Sequence, residues 1–522
     1  MGHVRMLDAV GMAGEGGPFT PRRLAFIPIV FFLVVPGLLL SSTLVPVPSF
    51  HVCLSSLTLN MYNFSGRNNS LQQSEPRDDP AGRVHVVEDV SYAPLGTETQ
   101  TDQGMKKSIQ YAIGMVQEQI HGLRSPARNR TCQGDACGHM CEGKGIFVYD
   151  LPAKFNRQLM KGCVDILPWM NFCEYITHQG MGQPVPKLGR GWYKTNQFSL
   201  EPIFHSRIMK HPCRVLEEDK ASLFYIPFYA GLNVLQKNFQ NASVEEKDQL
   251  GLQLVEWLKS KRSWIQNEGK DHFLALGTLS WDFRRTRGVW GSNFLELKEM
   301  QNPVKLIIER QPWHSNDVGI PYPTNFHPKT DKEISRFQSK LSRTKRRIHV
   351  SFAGAGRPNL TDNVRSFLIE ECANNSSLCT YLDCKSGSCI NPKTVIKLFM
   401  ESEFCLQPPG DSPTRKSFFD SLVYGCIPVI FDPFTAYYQY PWHLPEDHTL
   451  YSVYINQEEV KQGKVKVLTA LQSISAKQRK EMRRYIISEL MPQIVYANPN
   501  SNLHRFRDAF MISVDNLINR AV

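Results

Sequence analysis

The segment of residues 402–431 constrains the fold more than any other part of the sequence. Residues 404–406 and 427–431 are short apolar runs, and a helical pattern occupies residues 413–424 between them. Two strands that are joined through a helix run parallel to each other. The segment therefore predicts a parallel sheet with helices packed against it.

Residue types typical of helix ends delimit the helix within this segment. Asp411 or Ser412 is the expected N-cap, and Pro413 is expected at the first helical position. Gly425 is expected to end the helix.

Two cations stand in the first turn predicted for this helix. Arg415 and Lys416 lie where the helix dipole disfavours positive charge, and a negatively charged ligand would remove the conflict. Backbone N–H groups and the hydroxyls of Ser412 and Thr414 complete a cradle suited to a diphosphate. The alternative is a pair of solvated surface charges. The predicted donor-binding residues are Glu403, Gly410, Asp411, Ser412, Thr414, Arg415, Lys416 and Asp420.

Within that set, two acids have separate expected roles. Glu403 precedes the loop and could accept hydrogen bonds from ribose or sugar hydroxyls, its alternative being a surface acid. Asp420 lies two turns into the helix, and we expect it to orient the loop rather than to touch a sugar.

Two series of short apolar runs alternate with helical patterns along the chain. The first series comprises residues 146–149, 223–226, 273–276 and 306–308, and the second comprises residues 348–352, 404–406, 427–431 and 451–454. Residues 311–343, rich in Pro, His and Lys, are expected to form a loop between the two series. The alternation predicts an α/β fold with parallel sheets and helices on both faces. Residues 475–490 and 504–518 are expected to be helical.

The N-terminus carries the pattern of a membrane anchor. Residues 24–40 contain no charge, which is close to the length of about 20 residues that spans a bilayer. Arg22 and Arg23 precede this stretch, so residues 1–23 are expected to be cytoplasmic and residues 24–44 to be a transmembrane signal-anchor. A cleaved signal peptide is the alternative.

A stem is predicted over residues 45–131, because its first half is rich in Ser, Asn, Asp and Pro. Apolar residues at three- and four-residue intervals predict one amphipathic helix in the stem, and they are Met105, Ile109, Ala112, Val116 and Ile120. We expect this helix to pack on the globular part, with packing on a second copy as the alternative.

Cysteine usage indicates an oxidising compartment. The chain has 13 cysteines, and the spacing of those in residues 372–389 favours disulfides over zinc. Pairs Cys372–Cys379 and Cys384–Cys389 are one of three pairings open to that group. Sequons for N-glycosylation occur at Asn63, Asn68, Asn129, Asn241, Asn359, Asn374 and Asn375.

Several motifs give the chain a resemblance to one known family. They are residues 147–152, 192–198, 224–231, 271–273, 309–314, 402–417 and 433–438. The chain resembles the exostosin-type glycosyltransferases, in particular the plant branch that galactosylates xyloglucan, over residues 144–495. The resemblance implies the GT-B arrangement, in which two Rossmann-like domains face a cleft. The implied divisions are residues 132–335 for the acceptor domain, 336–495 for the nucleotide-sugar donor domain, and 496–522 for a C-terminal helix.

The resemblance also implies an activity. An inverting enzyme of this family would transfer galactose from UDP-galactose to the xylosyl side chains of xyloglucan during cell-wall synthesis. One alternative is another UDP-sugar, galacturonic acid or arabinose, or another wall polysaccharide. A uronic donor calls for an extra cation, for which Arg284, Arg285 and Arg310 are candidates. A further alternative is a non-catalytic Golgi subunit that binds glycans or scaffolds other enzymes.

Metal ions and cofactors are not expected beyond the UDP-sugar itself. The sequence has no Asp-x-Asp triplet, which disfavours glycosyltransferases that hold a divalent cation by that motif. The helix dipole, Arg415 and Lys416 would instead stabilise the departing UDP, although a cation held by scattered carboxylates stays an alternative.

Inversion needs a general base for the acceptor hydroxyl, and we expect it in the N-terminal half. Asp271, His178 and Glu201 are the candidates, without a choice among them. A polysaccharide acceptor is expected to pack on aromatic side chains flanked by polar residues, and the predicted set is Trp192, Tyr193, Trp313 and His314.

The expected partners follow from the same resemblance. They are a UDP-sugar, a xyloglucan-like polysaccharide, the membrane through one span, and a homo- or hetero-oligomer with other Golgi glycosyltransferases. The net charge of +11 is spread along the chain, and no nucleic acid is expected. The expected location is the Golgi membrane, as a single-pass type II protein with a luminal catalytic domain.

Overall fold

The computed structural model describes residues 143–520 except 169, 286–287 and 358–362, together with residues 114, 116–120, 122–123 and 141. Two parallel sheets account for the strands of this part of the chain. The predicted anchor at residues 24–44 lies outside the described residues. None of the described helices is long and apolar enough to cross a membrane.

The N-terminal half is built on a sheet of six parallel strands in the order β2-β1-β3-β4-β5-β6. Its strands are β1 (Gly145–Val148), β2 (Arg214–Val215), β3 (Ala221–Tyr225), β4 (His272–Leu279), β5 (Val304–Glu309) and β6 (Asp317–Gly319). Its helices are α1 (Arg157–Lys161), α2 (Cys173–Ile176), α3 (Leu200–Ile208), α4 (Ala230–Phe239), α5 (Val244–Lys259) and α6 (Arg262–Asn267). Every residue of β4 is buried, as expected for a central strand with helices on both faces of its sheet.

The C-terminal half has a second sheet, of five parallel strands in the order β11-β10-β9-β7-β8. Its strands are β7 (Ile348–Gly354), β8 (Cys379–Asp383), β9 (Ser402–Gln407), β10 (Ile427–Ile430) and β11 (Val453–Tyr454). The helices that follow the first half are α7 (Asp331–Arg343), α8 (Val364–Asn374), α9 (Pro392–Glu401), α10 (Lys416–Val423), α11 (Gln457–Lys461), α12 (Val467–Gln472), α13 (Ala476–Tyr485), α14 (Met491–Ile494) and α15 (Ala509–Arg520). The α/β prediction of parallel sheets is confirmed.

The segment predicted as a loop between the halves contains regular structure. Strand β6 and helix α7 both lie within residues 311–343, so that prediction is wrong. In α7 the apolar residues Ile334, Phe337 and Leu341 lie on one buried face, but charged residues surround them in the sequence and hide the period. The domain boundary expected at residues 335/336 falls inside this helix.

The C-terminal helix returns to the N-terminal half. Phe510 of α15 packs on Phe204 of α3 with ring centroids 4.8 Å apart. Beside them, Arg207 Nη1 donates to Asp508 at 2.6 Å in a buried ion pair. The helix begins at residue 509 rather than near 504, because the N–H groups of His504 and Arg505 donate to Asp331. The helix predicted over residues 475–490 is confirmed as α13 and the π-helical turn Ile486–Leu490.

Five disulfides cross-link the described residues. They are Cys141–Cys213, Cys163–Cys173, Cys372–Cys379, Cys384–Cys389 and Cys405–Cys426. The two local pairs proposed for residues 372–389 are therefore confirmed. The last pair joins β9 to the residue before β10, on both sides of the segment that dominated the sequence analysis.

The structure describes one segment of the predicted stem and three of the predicted glycosylation sites. Residues 116–120 are helical, and Val116 and Ile120 are buried, which agrees with packing of this helix on the globular part. Asn241, Asn374 and Asn375 are exposed. The sequons at Asn63, Asn68, Asn129 and Asn359 lie outside the described residues.

We predict that Arg207→Ala lowers the free energy of unfolding by about 3 kcal/mol, because it leaves the buried Asp508 carboxylate without its cation. Thermal or urea unfolding of the purified protein measures this. Lys259→Ala is the matched control, since Lys259 makes surface ion pairs with Glu256 and Glu299 and its loss is expected to leave the midpoint unchanged. Equal effects of the two variants would contradict the prediction.

Candidate functional site

The strand order places one candidate site at the carboxyl ends of β7 and β9. In both sheets the chain begins in the interior, adds one strand on one side, and then continues on the other side. Ligands of such sheets bind beyond the carboxyl ends of the strands, at the point where the order reverses. In the C-terminal half that point lies between the segment after β7 and the 408–415 loop after β9.

The 408–415 loop is longer than predicted. Helix α10 begins at Lys416 with Arg415 in an extended N-cap conformation, so Asp411 and Ser412 do not cap it and Pro413 is not in it. The loop is closed on itself by the N–H of Gly410, which donates to the Ser412 carbonyl at 2.9 Å. The loop makes contacts with residues distant in sequence, and these contacts determine where the helix begins. Capping preferences read from the local sequence cannot predict them.

Two buried arginines hold the backbone of this loop. Arg415 Nη1 donates to the Pro408 carbonyl at 2.7 Å, and Arg365 Nε of α8 donates to the Pro409 carbonyl at 2.9 Å. A Cβ atom at residue 410 would lie 1.9 Å from Arg415 Nη2, so a larger residue there would displace the Arg415 side chain. Asp411 extends the loop to the segment after β7 through an ion pair with Arg357 at 2.8 Å.

Several hydrogen-bond donors meet at the start of α10 without an acceptor. The side chain of Gln407 is 1% exposed, and its Oε1 accepts from Ser417 Oγ at 2.6 Å while its Nε2 has no partner. Arg415 Nε is also buried without a partner. The N–H groups of Lys416 and Ser417 open the helix, where no intrahelical acceptor exists, and no other described residue accepts from them. Donors grouped in this way at a helix N-terminus suit a ligand with several acceptor oxygens.

Gln407 and Arg365 were missed in the sequence analysis. Gln407 is the last residue of β9, and its position next to the loop is the signal that could have identified it. Arg365 is distant in sequence and reaches the loop only through the packing of α8.

The cation of Lys416 points into the protein. Its Nζ donates to both carboxylate oxygens of Asp420, at 2.9 and 2.7 Å, and to Asn325 Oδ1 at 3.1 Å. Burial raises the pKa of the Asp420 carboxyl, and Lys416 offsets this only in part. The Lys416 side chain is therefore engaged by Asp420 and Asn325, and the expectation that Asp420 orients the 408–415 loop stays a prediction.

The hydroxyls predicted to bind phosphate are also occupied. Ser412 Oγ donates to Glu309 Oε2 at 2.7 Å, and the N–H of Thr414 donates to the same oxygen at 3.1 Å. The Thr414 hydroxyl donates to it as well. Glu309 belongs to β5, so these contacts join the two halves of the molecule at the carboxyl ends of their sheets.

Glu403 lies at the wrong end of its strand to contact the loop. It is the second residue of β9, and its carboxylate pairs with Arg479 at 2.7 Å and His349 at 3.3 Å. Burial opposes its charge, but His349, Arg479 and Arg483 outweigh burial and hold the pKa of Glu403 below its usual value. The prediction that Glu403 binds the donor is therefore wrong, and its role is to fix α13 to the sheet.

Two of the three general-base candidates, Asp271 and Glu201, make hydrogen bonds that stabilise the fold and do not face the candidate site. Asp271 stands before the amino end of β4 and bonds to Asn267 and His272, away from the carboxyl edge. Glu201 is fully buried and accepts from the N–H groups of Gly231 at 2.6 Å and Gly277 at 3.2 Å. Burial raises the pKa of Glu201 to about 8 in spite of these bonds. Asp271 therefore lies at the wrong edge of the sheet and Glu201 is out of reach of an acceptor, so the structure contradicts both as the base.

His178 keeps the features that a general base requires. It is exposed, and its Nδ1 donates to the Gly182 carbonyl at 3.0 Å, which directs the lone pair to Nε2. His178 and Gln179 both have positive φ, of 51° and 59°, a conformation uncommon outside glycine that often marks functional sites.

A chain of contacts connects His178 to the start of α10. Its ring lies 5.8 Å from that of Tyr193, whose carbonyl accepts from Asn325 Nδ2 at 2.9 Å. Asn325 is also the residue that receives Lys416.

The aromatic residues predicted for the acceptor have different environments. Trp192 is 7% exposed and packs on Phe326 and Phe337, so it belongs to the core, and its prediction is wrong. Trp313 is 5% exposed and is equally inaccessible to a polysaccharide. Tyr193 and His314 are partly exposed.

The three arginines considered for a uronic donor already bind carboxylate or carbonyl groups of the protein. Arg284 forms a bidentate pair with Asp317 at 2.9 Å, and Arg285 pairs with Asp248. Arg310 donates to the Tyr438 carbonyl at 2.9 and 2.7 Å.

The described residues form an α/β protein with two parallel sheets, which are joined by the contacts of Glu309 and have unpaired hydrogen-bond donors at the start of α10. An exostosin GT47 domain matches residues 140–471. The chain belongs to the exostosin GT47 family.

Three relatives from Arabidopsis thaliana illustrate the similarity. The chain is 55% identical over 430 residues to "Xyloglucan-specific galacturonosyltransferase 1", covering 82% of this chain and 63% of the relative. It is 55% identical over 385 residues to "Probable xyloglucan galactosyltransferase GT20", covering 73% and 68%. It is 40% identical over 390 residues to "Xyloglucan galactosyltransferase MUR3", covering 73% and 62%. The match thus spans somewhat less than two thirds of the first and third relatives.

We predict that Glu403→Gln destabilises the protein by about 2 kcal/mol at neutral pH and leaves nucleotide binding unchanged, because the residue holds α13 and does not reach the loop. Since the folded-state pKa of Glu403 is lowered, its contribution is present above the ordinary value of about 4.3 and is lost as the pH falls through the lowered value. The difference between variant and wild type should therefore vanish in acid.

Melting temperatures measured from pH 3 to 8, together with calorimetric titration of UDP, test this prediction. The exposed Glu481→Gln on the same helix is the control and should change neither quantity. Weaker UDP binding by Glu403→Gln at unchanged stability would restore the original prediction.

Proposed function

We propose that the protein is a glycosyltransferase that uses a UDP-sugar as donor and xyloglucan as acceptor. The observation that carries the proposal is the set of buried, partnerless donors formed by Gln407 Nε2, Arg415 Nε and the first N–H groups of α10. A diphosphate offers the several acceptor oxygens that these groups lack. Membership of the exostosin GT47 family, and relatives named as xyloglucan glycosyltransferases, support the acceptor.

We propose galactose as the sugar and galacturonic acid as the second candidate. Arg284, Arg285 and Arg310 already hold carboxylates or carbonyls, which supports a donor without a carboxylate. The galacturonosyltransferase relative, at 55% identity, supports the second candidate. Arabinose, another wall polysaccharide and a non-catalytic subunit are the remaining outcomes of the test below.

The reaction proposed is a single displacement with inversion. The acceptor hydroxyl gives its proton to His178 Nε2 while its oxygen forms a bond to the anomeric carbon. The bond from that carbon to the β-phosphate oxygen breaks, and the UDP leaves with the electron pair. The N–H groups at the start of α10 and the Arg415 guanidinium stabilise the charge on the leaving diphosphate, without a requirement for a metal ion.

The proposed setting of this reaction is the Golgi lumen. A type II anchor over residues 24–44 would place the described part of the chain there, and assembly with other Golgi glycosyltransferases is part of the proposal. The five disulfides support an oxidising compartment.

We predict that the purified protein releases UDP from UDP-galactose when xyloglucan oligosaccharides are present, and that EDTA does not stop the release. Arg415→Ala is expected to lower kcat/KM by about 100-fold or more, because it removes both the loop contact at Pro408 and a charge beside the diphosphate. Turnover with UDP-galacturonic acid or UDP-arabinose instead of UDP-galactose would contradict galactose as the proposed donor sugar. Absence of turnover with any donor by a folded protein that binds UDP would favour another acceptor or a non-catalytic subunit.

His178→Ala is expected to lower kcat by about 100- to 10,000-fold and to leave the KM for the UDP-sugar unchanged, because a general base acts on the acceptor hydroxyl and not on donor binding. Steady-state kinetics of UDP release measure both constants. His504→Ala, which changes an exposed histidine far along the chain, is the control. Full activity of the His178 variant would remove His178 from the mechanism.

A further inference from the structure

Glu309 connects the two halves of the molecule at the candidate donor site. It is the last residue of β5 and its side chain is 2% exposed. One of its oxygens, Oε2, accepts from Ser412 Oγ at 2.7 Å, from Thr414 N at 3.1 Å and from the Thr414 hydroxyl. A single carboxyl group of the N-terminal half therefore holds two residues of the 408–415 loop.

Neighbouring contacts make this the seam between the halves. Tyr322 OH lies 3.0 Å from Thr414 Oγ1, so the threonine hydroxyl is held from a second side. The next residue is Arg310, whose backbone N–H donates to Gln439 Oε1 at 2.9 Å. Gln439 Nε2 in turn donates to the Arg310 carbonyl at 3.2 Å. The loop is thus fixed by the N-terminal half on one side and by Arg365 of its own half on the other.

The surroundings of Glu309 favour its uncharged form. The titratable groups that face it are Asp282 after β4, Tyr322 after β6 and Tyr440 after β10, none of which is a cation. Burial and, to a smaller extent, Asp282 raise the pKa of Glu309, the bonds from Thr414 and Ser412 lower it, and the net pKa is about 8. Near neutral pH the group therefore accepts these bonds without adding a negative charge beside the leaving diphosphate.

We propose that Glu309 is a positioning residue for the donor: it fixes the 408–415 loop from the opposite half, so that the backbone donors at the start of α10 face the diphosphate. This inference rests on the proposed use of a UDP-sugar. It makes the donor site a joint product of both halves, and it predicts that the acceptor half contributes to nucleotide affinity without touching the nucleotide.

The inference has a consequence for the dependence of donor binding on pH. Once Glu309 loses its proton, it places a negative charge at the loop that borders the diphosphate. The KM for the UDP-sugar should therefore rise as the pH increases through about 8. Glu309→Gln keeps an oxygen that can accept from the loop and has no proton to lose, so its KM should not rise over that range.

The experiment compares Glu309→Gln and Glu309→Ala with wild type in the whole protein. UDP affinity is measured by calorimetry, and donor KM and kcat are measured from pH 6 to 9. Glu309→Gln is expected to stay within about 3-fold of the wild-type Kd and KM at pH 7. Glu309→Ala is expected to raise both constants about 10-fold or more, with kcat at saturating donor changed less than about 3-fold. Glu299→Gln, a surface acid of the same half that pairs with Lys259, is the control.

The possible outcomes separate the role of Glu309 from the proposed function. Weaker UDP binding by Glu309→Ala, in a protein without turnover on any sugar, supports the inference even if the proposed reaction fails. Wild-type UDP affinity in Glu309→Ala overturns it, as does a loss confined to melting temperature and kcat. Tighter UDP binding at pH 7 in either variant also overturns it, because Glu309 would then compete with the diphosphate while it is uncharged. If Glu309→Ala does not fold, the pH profile of Glu309→Gln decides: a KM that rises as in wild type overturns the inference.

Discussion

A buried carboxyl group occupies the start of a helix in the N-terminal half and has no counterpart at the equivalent helix of the C-terminal half among the described residues. In the N-terminal half, the helix that follows β3 is α4, and its first N–H groups donate to Glu201 at 2.6 Å from Gly231 and 3.3 Å from Leu232. The equivalent helix in the C-terminal half is α10, whose opening N–H groups have no such acid among the described residues. Helix N-termini attract anions, so the first half satisfies this site internally and only the second presents it to a ligand. The proposed division into an acceptor half and a donor half rests on this difference.

The candidate donor site, formed by the 408–415 loop and the start of α10, depends on contacts between distant parts of the sequence. Arg365 and Arg415 bind consecutive carbonyls of the 408–415 loop, and Glu309 binds its hydroxyls from the other sheet. Because interactions of one network are not additive, loss of one of these residues changes the geometry that the others hold. Gly410 lies against the guanidinium groups of Arg415 and Arg365, so a side chain at this position would displace them.

The sequence was sufficient for the sheets and insufficient for the site geometry. Apolar runs such as residues 427–431 and the helical patterns between them identify parallel strands, because these features depend on neighbours in the chain. Cysteine spacing left three pairings open in residues 372–389, and the structure shows the two local ones. Glu403 was misplaced because a residue at the amino end of a strand is about 13 Å from its carboxyl end, a distance that closeness in sequence conceals. Trp192 was misplaced because polar neighbours in sequence do not reveal the aromatic rings that surround it in space. Arg365 and Glu309 were recognised only through their contacts, because both are distant in sequence from the 408–415 loop.

The disulfide between Cys405 and Cys426 encloses the whole loop-and-helix unit, with a sequence separation of 21 residues. A covalent closure of this size removes conformational freedom from the unfolded chain and contributes about 3 kcal/mol to stability in the entropic account. The stability of the candidate donor site therefore depends on the redox state of its surroundings. Protein made in a reducing cytoplasm, or assayed with a thiol reagent, would keep its sequence and lose part of the constraint that holds this site together, so its preparation needs an oxidising route.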